Sequence, residues 1–165
     1  MKDTGIQESV IIYGAGVSGL ITKRTLEKDT RNNQIAAAFI DDNEKLQGTR
    51  IEGIRVYSTR QLSKLQKELQ AKTLIVAIQV PDVSKMQKVI DEAMSLKLTI
   101  QKVPNPKSWI NGVFSSRQLK KIRIEDLLGR EIIDLKNKVP NHQKQIPTTK
   151  ILNPNFKKSI KYLTS

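Results

Sequence analysis

The amino-acid sequence predicts an α/β fold built on a doubly wound parallel sheet. Short, largely apolar runs occur at residues 10–13, 34–40 and 73–78, and strands that are buried on both faces of a parallel sheet have this composition. Between them lie segments with apolar residues at three- and four-residue spacing, which is typical of amphipathic helices. Such strands and helices alternate along the chain, as expected for a sheet with helices on both faces.

The first apolar run leads directly into a Gly-x-Gly-x-x-Gly motif. Gly14 allows a tight turn off the strand, Gly16 lets a pyrophosphate approach the backbone, and Gly19 lets the next helix pack closely. That helix is predicted over Leu20–Lys28, and its first N–H groups would face the phosphates. The motif therefore predicts a Rossmann-like fold with a nucleotide-binding loop, formed by Gly14, Ala15, Gly16, Val17, Ser18 and Gly19.

Two acids follow the second strand, which is predicted over Gln34–Ile40. Asp41 follows Gly19 at close to the spacing of about 20 residues at which an acid binds the ribose hydroxyls of a dinucleotide. The alternative for Asp41 and Asp42 is a structural role, since Asp-Asp-Asn favours turns closed by side-chain-to-backbone hydrogen bonds. The two carboxylates would repel a 2′-phosphate, so the sequence predicts NAD as cofactor and disfavours NADP.

The remaining elements continue the alternation. We predict a short strand at Ile51–Tyr57, a helix at Arg60–Gln70, a strand at Thr73–Ile78, a helix at Val83–Leu96 and a strand at Leu98–Val103. Right-handed crossovers bring the carboxyl ends of parallel strands to one edge of the sheet. Gln79 follows its strand directly, so we add it to the predicted binding site beside the glycine loop and the two acids.

The last 30 residues differ in composition from the rest. Residues 136–165 hold seven lysines and no acid, within a chain whose formal net charge is +13. Three prolines there exclude a continuous helix. We predict a nucleotide-binding domain at residues 1–135 and a basic, poorly structured extension at residues 136–165. Binding to nucleic acid is not expected, because the extension offers only Phe156 and Tyr162 for base stacking.

Several classes of site and location are excluded by composition. The chain has no cysteine and a single histidine, His142, so no metal site is predicted. No apolar run approaches the length of about 20 residues that spans a bilayer. The polar start of the chain does not fit a secretory signal. The expected location is the cytoplasm.

Four blocks of sequence together resemble one known family. They are Ile12–Gly19, Phe39–Asp42, Ile51–Val56 and Ile124–Arg130. Residues 9–135 resemble the first Rossmann domain of the polysaccharide-biosynthesis family of nucleotide-sugar epimerases and 4,6-dehydratases, which act in bacterial capsule, O-antigen and glycan synthesis. In that family the Asp-Leu-Leu-Gly-Arg block joins this domain to a catalytic domain of the short-chain dehydrogenase type. Full-length members are often attached to the inner membrane by helices.

The resemblance implies a nucleotide-binding domain and not a complete enzyme. The sequence contains neither the second glycine-rich motif nor the catalytic Tyr-x-x-x-Lys of the family's second domain, so no catalytic residue is assigned. Expected partners are a catalytic domain or a second copy of the chain. The alternative is a free-standing regulatory or interaction module.

The resemblance leaves the ligand open. The glycine loop and acids are also similar to the amino-terminal domain of sugar acyltransferases, which binds a UDP-sugar. The family's domain is further grouped with Rossmann domains that bind CoA. NAD, a UDP-sugar and CoA are therefore all candidate ligands.

Overall fold

The computed structural model describes residues 7–122. All of them lie in the first of the two units into which the chain divides, Met1–Arg123. The domain boundary predicted after residue 135, the basic extension at residues 136–165 and the block Ile124–Arg130 lie outside the described residues, so they stay predictions.

Residues 7–122 form seven strands and three α-helices. In chain order they are β1 Glu8–Tyr13, α1 Val17–Lys28, β2 Gln34–Asp41, β3 Arg50–Ile51, β4 Ile54–Ser58, α2 Leu62–Leu69, β5 Thr73–Val76, α3 Val83–Ser95, β6 Thr99–Lys102 and β7 Lys120–Lys121. Short 3₁₀ turns occupy Thr59–Gln61, Pro106–Ser108 and Ser116–Gln118.

The strands form one sheet in the order β3-β4-β2-β1-β5-β6-β7. The five central strands, β4, β2, β1, β5 and β6 in their order across the sheet, all pair in parallel, which confirms the doubly wound α/β fold. The two outermost strands correct the expectation of a purely parallel sheet, because β3 is antiparallel to β4 and β7 is antiparallel to β6.

The strand predicted over Ile51–Tyr57 is wrong, since this stretch is a hairpin of β3 and β4. Its turn residues, Glu52 and Gly53, have φ of 45° and 86°, the positive values that a two-residue hairpin requires. The Glu52 carboxylate accepts hydrogen bonds from Lys23 at 3.1 Å and from Arg24, both on α1. These ion pairs hold a residue that is not glycine in a strained backbone conformation.

The core covers both faces of the sheet. Val10 and Ile12 of β1 belong to an apolar cluster with Leu26 of α1 and Phe114. Side chains alternate along a strand, and Ile11, which points to the opposite face, is equally buried. Helices α2 and α3 pack against each other. On α3 the apolar side chains of Met86, Val89, Ile90 and Ala93 are buried, whereas Val83 at its start is exposed.

The start of α1 depends on two glycines. The helix begins at Val17, three residues before the predicted start, with Gly16 as its N-cap. Gly14 turns the chain off β1 with φ of 108°, a value that favours glycine. A Cβ on Gly19 would overlap the carbonyl oxygen of Gly14 and touch the Phe39 ring. The predicted roles of Gly14 and Gly19 in turning and close packing are therefore confirmed.

We expect Gly19→Ala to lower the free energy of unfolding by about 1–3 kcal/mol. The added methyl group meets backbone and not a movable side chain, so α1 must shift to accept it. Gly16→Ala is the control, because no described heavy atom lies within 4 Å of a Cβ there, and it should change stability by less than about 0.5 kcal/mol. Urea unfolding measures both variants; equal effects would contradict the close-packing argument.

Candidate functional site

The carboxyl ends of the parallel strands bring the predicted site residues together. Among the described residues, β1 ends in the glycine loop, β2 ends at Asp41 and β4 ends at Ser58. The loop after β5 carries Gln79. Hydrogen bonds join these separate segments directly, so the predicted residues form one continuous edge.

The glycine loop presents backbone donors. Leu20 donates its N–H to the Gly16 carbonyl at 3.0 Å, and the N–H groups of a helix's first turn lack an acceptor within the helix. The free donors are those before Leu20, on Val17, Ser18 and Gly19, and no acidic side chain in this turn occupies them. Gly16 and Val17 are exposed. The loop therefore offers an open, electropositive surface of the kind that binds phosphate.

Asp41 ties the end of β2 to this loop. Its Oδ2 accepts a hydrogen bond from the Ala15 N–H at 2.7 Å, and its Oδ1 accepts one from the Asn43 N–H at 2.8 Å. The second bond closes the turn that the sequence offered as an alternative to ribose binding. Each carboxylate oxygen has a second lone pair, so a role in ribose binding stays a prediction.

Asp42 is held by two hydroxyl groups. Tyr13, at the end of β1, donates to its Oδ2 at 2.5 Å, and Thr59 donates to its Oδ1 at 3.0 Å. Burial, and then the hydrogen bond and charge of Asp42, raise the pKa of Tyr13 well above its ordinary range. Neither partner was predicted from the sequence, although a tyrosine at the end of a buried strand needs a partner for its hydroxyl.

Gln79 connects the β5 loop to the glycine loop. Its side-chain amide donates to the Ser18 hydroxyl at 2.7 Å. Gln79 therefore lies beside the glycine loop, as its place after the strand predicts. A contact between Gln79 and a ligand stays a prediction. Val80, the next residue, is 91% exposed, and Val17 is 75% exposed. The edge formed by the glycine loop, Asp41, Asp42 and Gln79, named the ligand edge after its predicted role, therefore carries apolar as well as polar groups.

A cavity of about 350 Å³ opens beside Asp42. It lies between the loop after β2, the end of β4 and helix α3. Its lining residues are Asp42, Glu44, Gln47, Ser58, Thr59, Arg60, Lys85, Lys88, Val89 and Glu92. Of these residues only Asp42 was predicted from the sequence, because the others come from three separate segments with no shared motif.

A second cavity of about 350 Å³ lies between α1 and residues 113–116. None of the predicted site residues lines it. Within residues 7–122 there is no group of three His, Asp or Glu side chains placed to hold a metal ion. In the same part of the chain, none of the helices has the length and apolar character needed to cross a membrane.

The chain is similar to two curated proteins of polysaccharide biosynthesis. The capsular polysaccharide biosynthesis protein CapD of Staphylococcus aureus is 25% identical over 131 residues, which cover 78% of this chain and 22% of that protein. A Bacillus subtilis (strain 168) protein, named "Probable polysaccharide biosynthesis protein EpsC", is 26% identical over 126 residues, with coverage of 76% and 21%. The chain spans about one fifth of the length of these relatives. No family model matches the chain.

Solved structures agree with the fold. The crystal structure of UDP-D-quinovosamine 4-dehydrogenase from Vibrio fischeri has a TM-score of 0.64 and 32% sequence identity, over 74% of this chain and 99% of that chain. The structure of RSP, a Rex-family repressor, in complex with beta-NADH has a TM-score of 0.52 at 17% identity, over 80% and 61%. The repressor supports the fold alone.

The raised pKa of Tyr13 predicts a pH dependence of stability. An unfolded tyrosine titrates near pH 10, so the stabilisation by neutral Tyr13 is complete below that pH and is lost as the pH rises above it. In Tyr13→Phe this loss is absent, although the missing hydrogen bond costs about 0.5–1.5 kcal/mol at neutral pH. Above pH 10 the free energy of unfolding of the parent should therefore fall more steeply, by about 1.4 kcal/mol per pH unit.

Urea unfolding of both proteins between pH 7 and pH 11 measures this difference. Tyr57→Phe controls for the loss of a hydroxyl at another strand end. The inferred proton linkage would be contradicted if the free energies of unfolding of the parent and of Tyr13→Phe differ by the same amount at every pH in this range.

Proposed function

This chain belongs, as a Rossmann domain, to the polysaccharide-biosynthesis family of nucleotide-sugar enzymes, and we propose that it binds a nucleotide through its diphosphate group. The observation that carries the proposal is the open first turn of α1. Its N–H groups point away from the helix without an acidic competitor, and Gly16 leaves the approach clear. Such donors recognise phosphate oxygens whatever else the ligand carries.

The neighbouring groups fit the rest of a nucleotide. The ribose next to the diphosphate would lie at the end of β2, where Asp41 and Asp42 still have lone pairs free to accept hydrogen bonds from its hydroxyls. Gln79 would contact the ligand from the opposite side of the loop. NAD, a UDP-sugar and CoA all contain a diphosphate, so the glycine loop serves each of them. The predicted NAD remains the reference ligand.

We propose that the chemical step of the family takes place outside residues 7–122. The whole-protein activity that we propose is that of a nucleotide-sugar epimerase, dehydratase or dehydrogenase of bacterial polysaccharide biosynthesis. Its reaction would take place in a catalytic domain of the short-chain dehydrogenase type, either joined to this domain or bound as a partner. In this scheme the domain holds a nucleotide and performs no bond-making step.

A second candidate function is a regulatory module that reports nucleotide occupancy to a partner. The exposed side chains of Val17 and Val80 favour a regulatory module. A bound nucleotide would contact or cover these apolar groups and so change the surface that a partner meets. Sedimentation velocity of the full chain, with and without nucleotide, tests this candidate. A change of assembly state upon binding would support it, and an unchanged monomer would leave simple binding as the better description.

Gly16→Val should weaken nucleotide binding at least tenfold without unfolding the protein. The backbone at Gly16 has φ of −85°, which valine adopts, and the new side chain would occupy open space over the phosphate-binding donors. Isothermal titration calorimetry with NAD, UDP-N-acetylglucosamine and CoA measures binding, and thermal unfolding confirms the fold. The control is Lys28→Val, which adds the same side chain at the opposite end of α1.

Binding by Gly16→Val as tight as that of the parent would show that the glycine loop is not the phosphate site. No heat from the parent with any of the three ligands, each at millimolar concentration, would contradict nucleotide binding itself.

A further inference from the structure

The cavity beside Asp42 contains three basic side chains that the diphosphate site does not use. They are Arg60, which follows β4, and Lys85 and Lys88 of α3. We propose that this cavity binds a phosphate group attached to the ribose of the nucleotide, so that the preferred ligand carries a 2′- or 3′-phosphate. The inference rests on the proposed nucleotide binding and adds the class of ligand.

The position of the cavity follows from the hydrogen bonds at the end of β2. Asp41 is bonded to Ala15 in the glycine loop, and Asp42, the next residue, lines the cavity. A ribose that lies between the diphosphate and the end of β2 would direct its 2′ and 3′ oxygens away from the loop. The cavity opens beside Asp42, no glycine-loop residue lines it, and at about 350 Å³ it has room for a phosphate.

The acidic and basic groups that line the cavity differ in how far they are engaged by the protein. Three acids, Asp42, Glu44 and Glu92, balance the three basic residues in number. Both oxygens of Asp42 accept hydroxyl hydrogen bonds, and Glu92 accepts one from the Ser63 N–H at 3.2 Å. The basic side chains, in contrast, form no ion pair with any residue between 7 and 122. Their donors are therefore available to a ligand.

Helix α3 adds to the positive potential. The helix begins at Val83 with Asp82 as its N-cap, so Lys85 lies in the first turn, where the helix dipole is positive, and Lys88 lies about one turn further along. All three basic side chains are exposed and can move to surround a phosphate. A phosphomonoester near neutral pH carries up to two negative charges and three acceptor oxygens, which match three cationic donors.

This inference reverses the expectation that Asp41 and Asp42 repel a ribose phosphate. Both carboxylates keep their charge in the structure, so the inference requires the three basic side chains to outweigh that repulsion at the ribose phosphate. In the structure the Asp41 carboxylate is bonded to the glycine loop and to Asn43, and Asp42 is bonded to Tyr13 and Thr59. The groups free to meet a ribose phosphate are Arg60, Lys85 and Lys88. NADP carries such a phosphate on the 2′ oxygen and CoA on the 3′ oxygen.

Two pairs of ligands that differ by one phosphate test the inference. Calorimetric titration of the full chain with NADP against NAD, and with CoA against dephospho-CoA, should show at least tenfold tighter binding of the phosphorylated ligand in one pair. The pair that shows the difference identifies the 2′- or the 3′-phosphate. Raising the salt concentration should reduce that difference, because the basic residues are exposed.

Lys88→Ala and Arg60→Ala should each weaken binding of the phosphorylated ligand by about fivefold or more while leaving its unphosphorylated counterpart within twofold. Lys72→Ala is the matched control, since it removes an exposed lysine that does not line the cavity. Lys88→Arg, which keeps the charge, should retain the preference. Thermal unfolding of each variant confirms that the fold is intact.

The failures of the two proposals are distinguishable. The ribose-phosphate inference would be overturned, and nucleotide binding kept, if NADP and CoA bind no more tightly than NAD, dephospho-CoA or a UDP-sugar. A preference for phosphate that survives in Lys88→Ala, Lys85→Ala and Arg60→Ala would also overturn it, because the cavity would then not be its cause. No binding of any of these ligands would overturn both proposals.

Discussion

The close approach of Gly19 to Gly14 is the constraint on which the ligand edge depends. Because neither residue has a side chain, α1 starts directly above the turn that leaves β1. The Gly14 N–H then donates to the Ile40 carbonyl at 2.9 Å, and the next N–H, of Ala15, donates to Asp41. Two consecutive hydrogen bonds thus fasten the loop to the end of β2. The direction of α1, and of its free N–H groups, follows from this arrangement.

The same constraint gives the two acids unequal roles. Asp41 supports the glycine loop, so its removal would alter the backbone of that loop as well as any ribose contact. Asp42 joins the end of β1 to the turn after β4 through hydrogen bonds with Tyr13 and Thr59. A neutral Tyr13 is required for that junction, which burial favours. The ligand edge is therefore a hydrogen-bonded unit before any ligand binds.

The features that the sequence predicts are those set by local periodicity. Composition and spacing predict the buried strands, the amphipathic helices and the structural roles of Gly14 and Gly19. The α/β fold was predictable for that reason. The β3–β4 hairpin was not, since its turn holds Glu52 at a positive φ through ion pairs with α1 that only the folded chain creates. The partners of Asp42 and the basic lining of the cavity were not predicted, because they too depend on contacts that only the folded chain creates. Arg60 and Lys88 are 28 residues apart in sequence and have no common motif.

The choice of ligand depends on those tertiary features and not on the motif that identifies the fold. Backbone N–H groups at a helix start recognise a phosphate without regard to the groups attached to it, so the glycine loop does not separate NAD from a UDP-sugar or CoA. Discrimination must come from side chains further along the edge. The carboxylates nearest the loop already accept protein hydrogen bonds, whereas Arg60, Lys85 and Lys88 are free of ion pairs with the described residues. Under the proposed ligand preference, the side chains that distinguish one nucleotide from another are those of the cavity, where a phosphate on the ribose would be recognised.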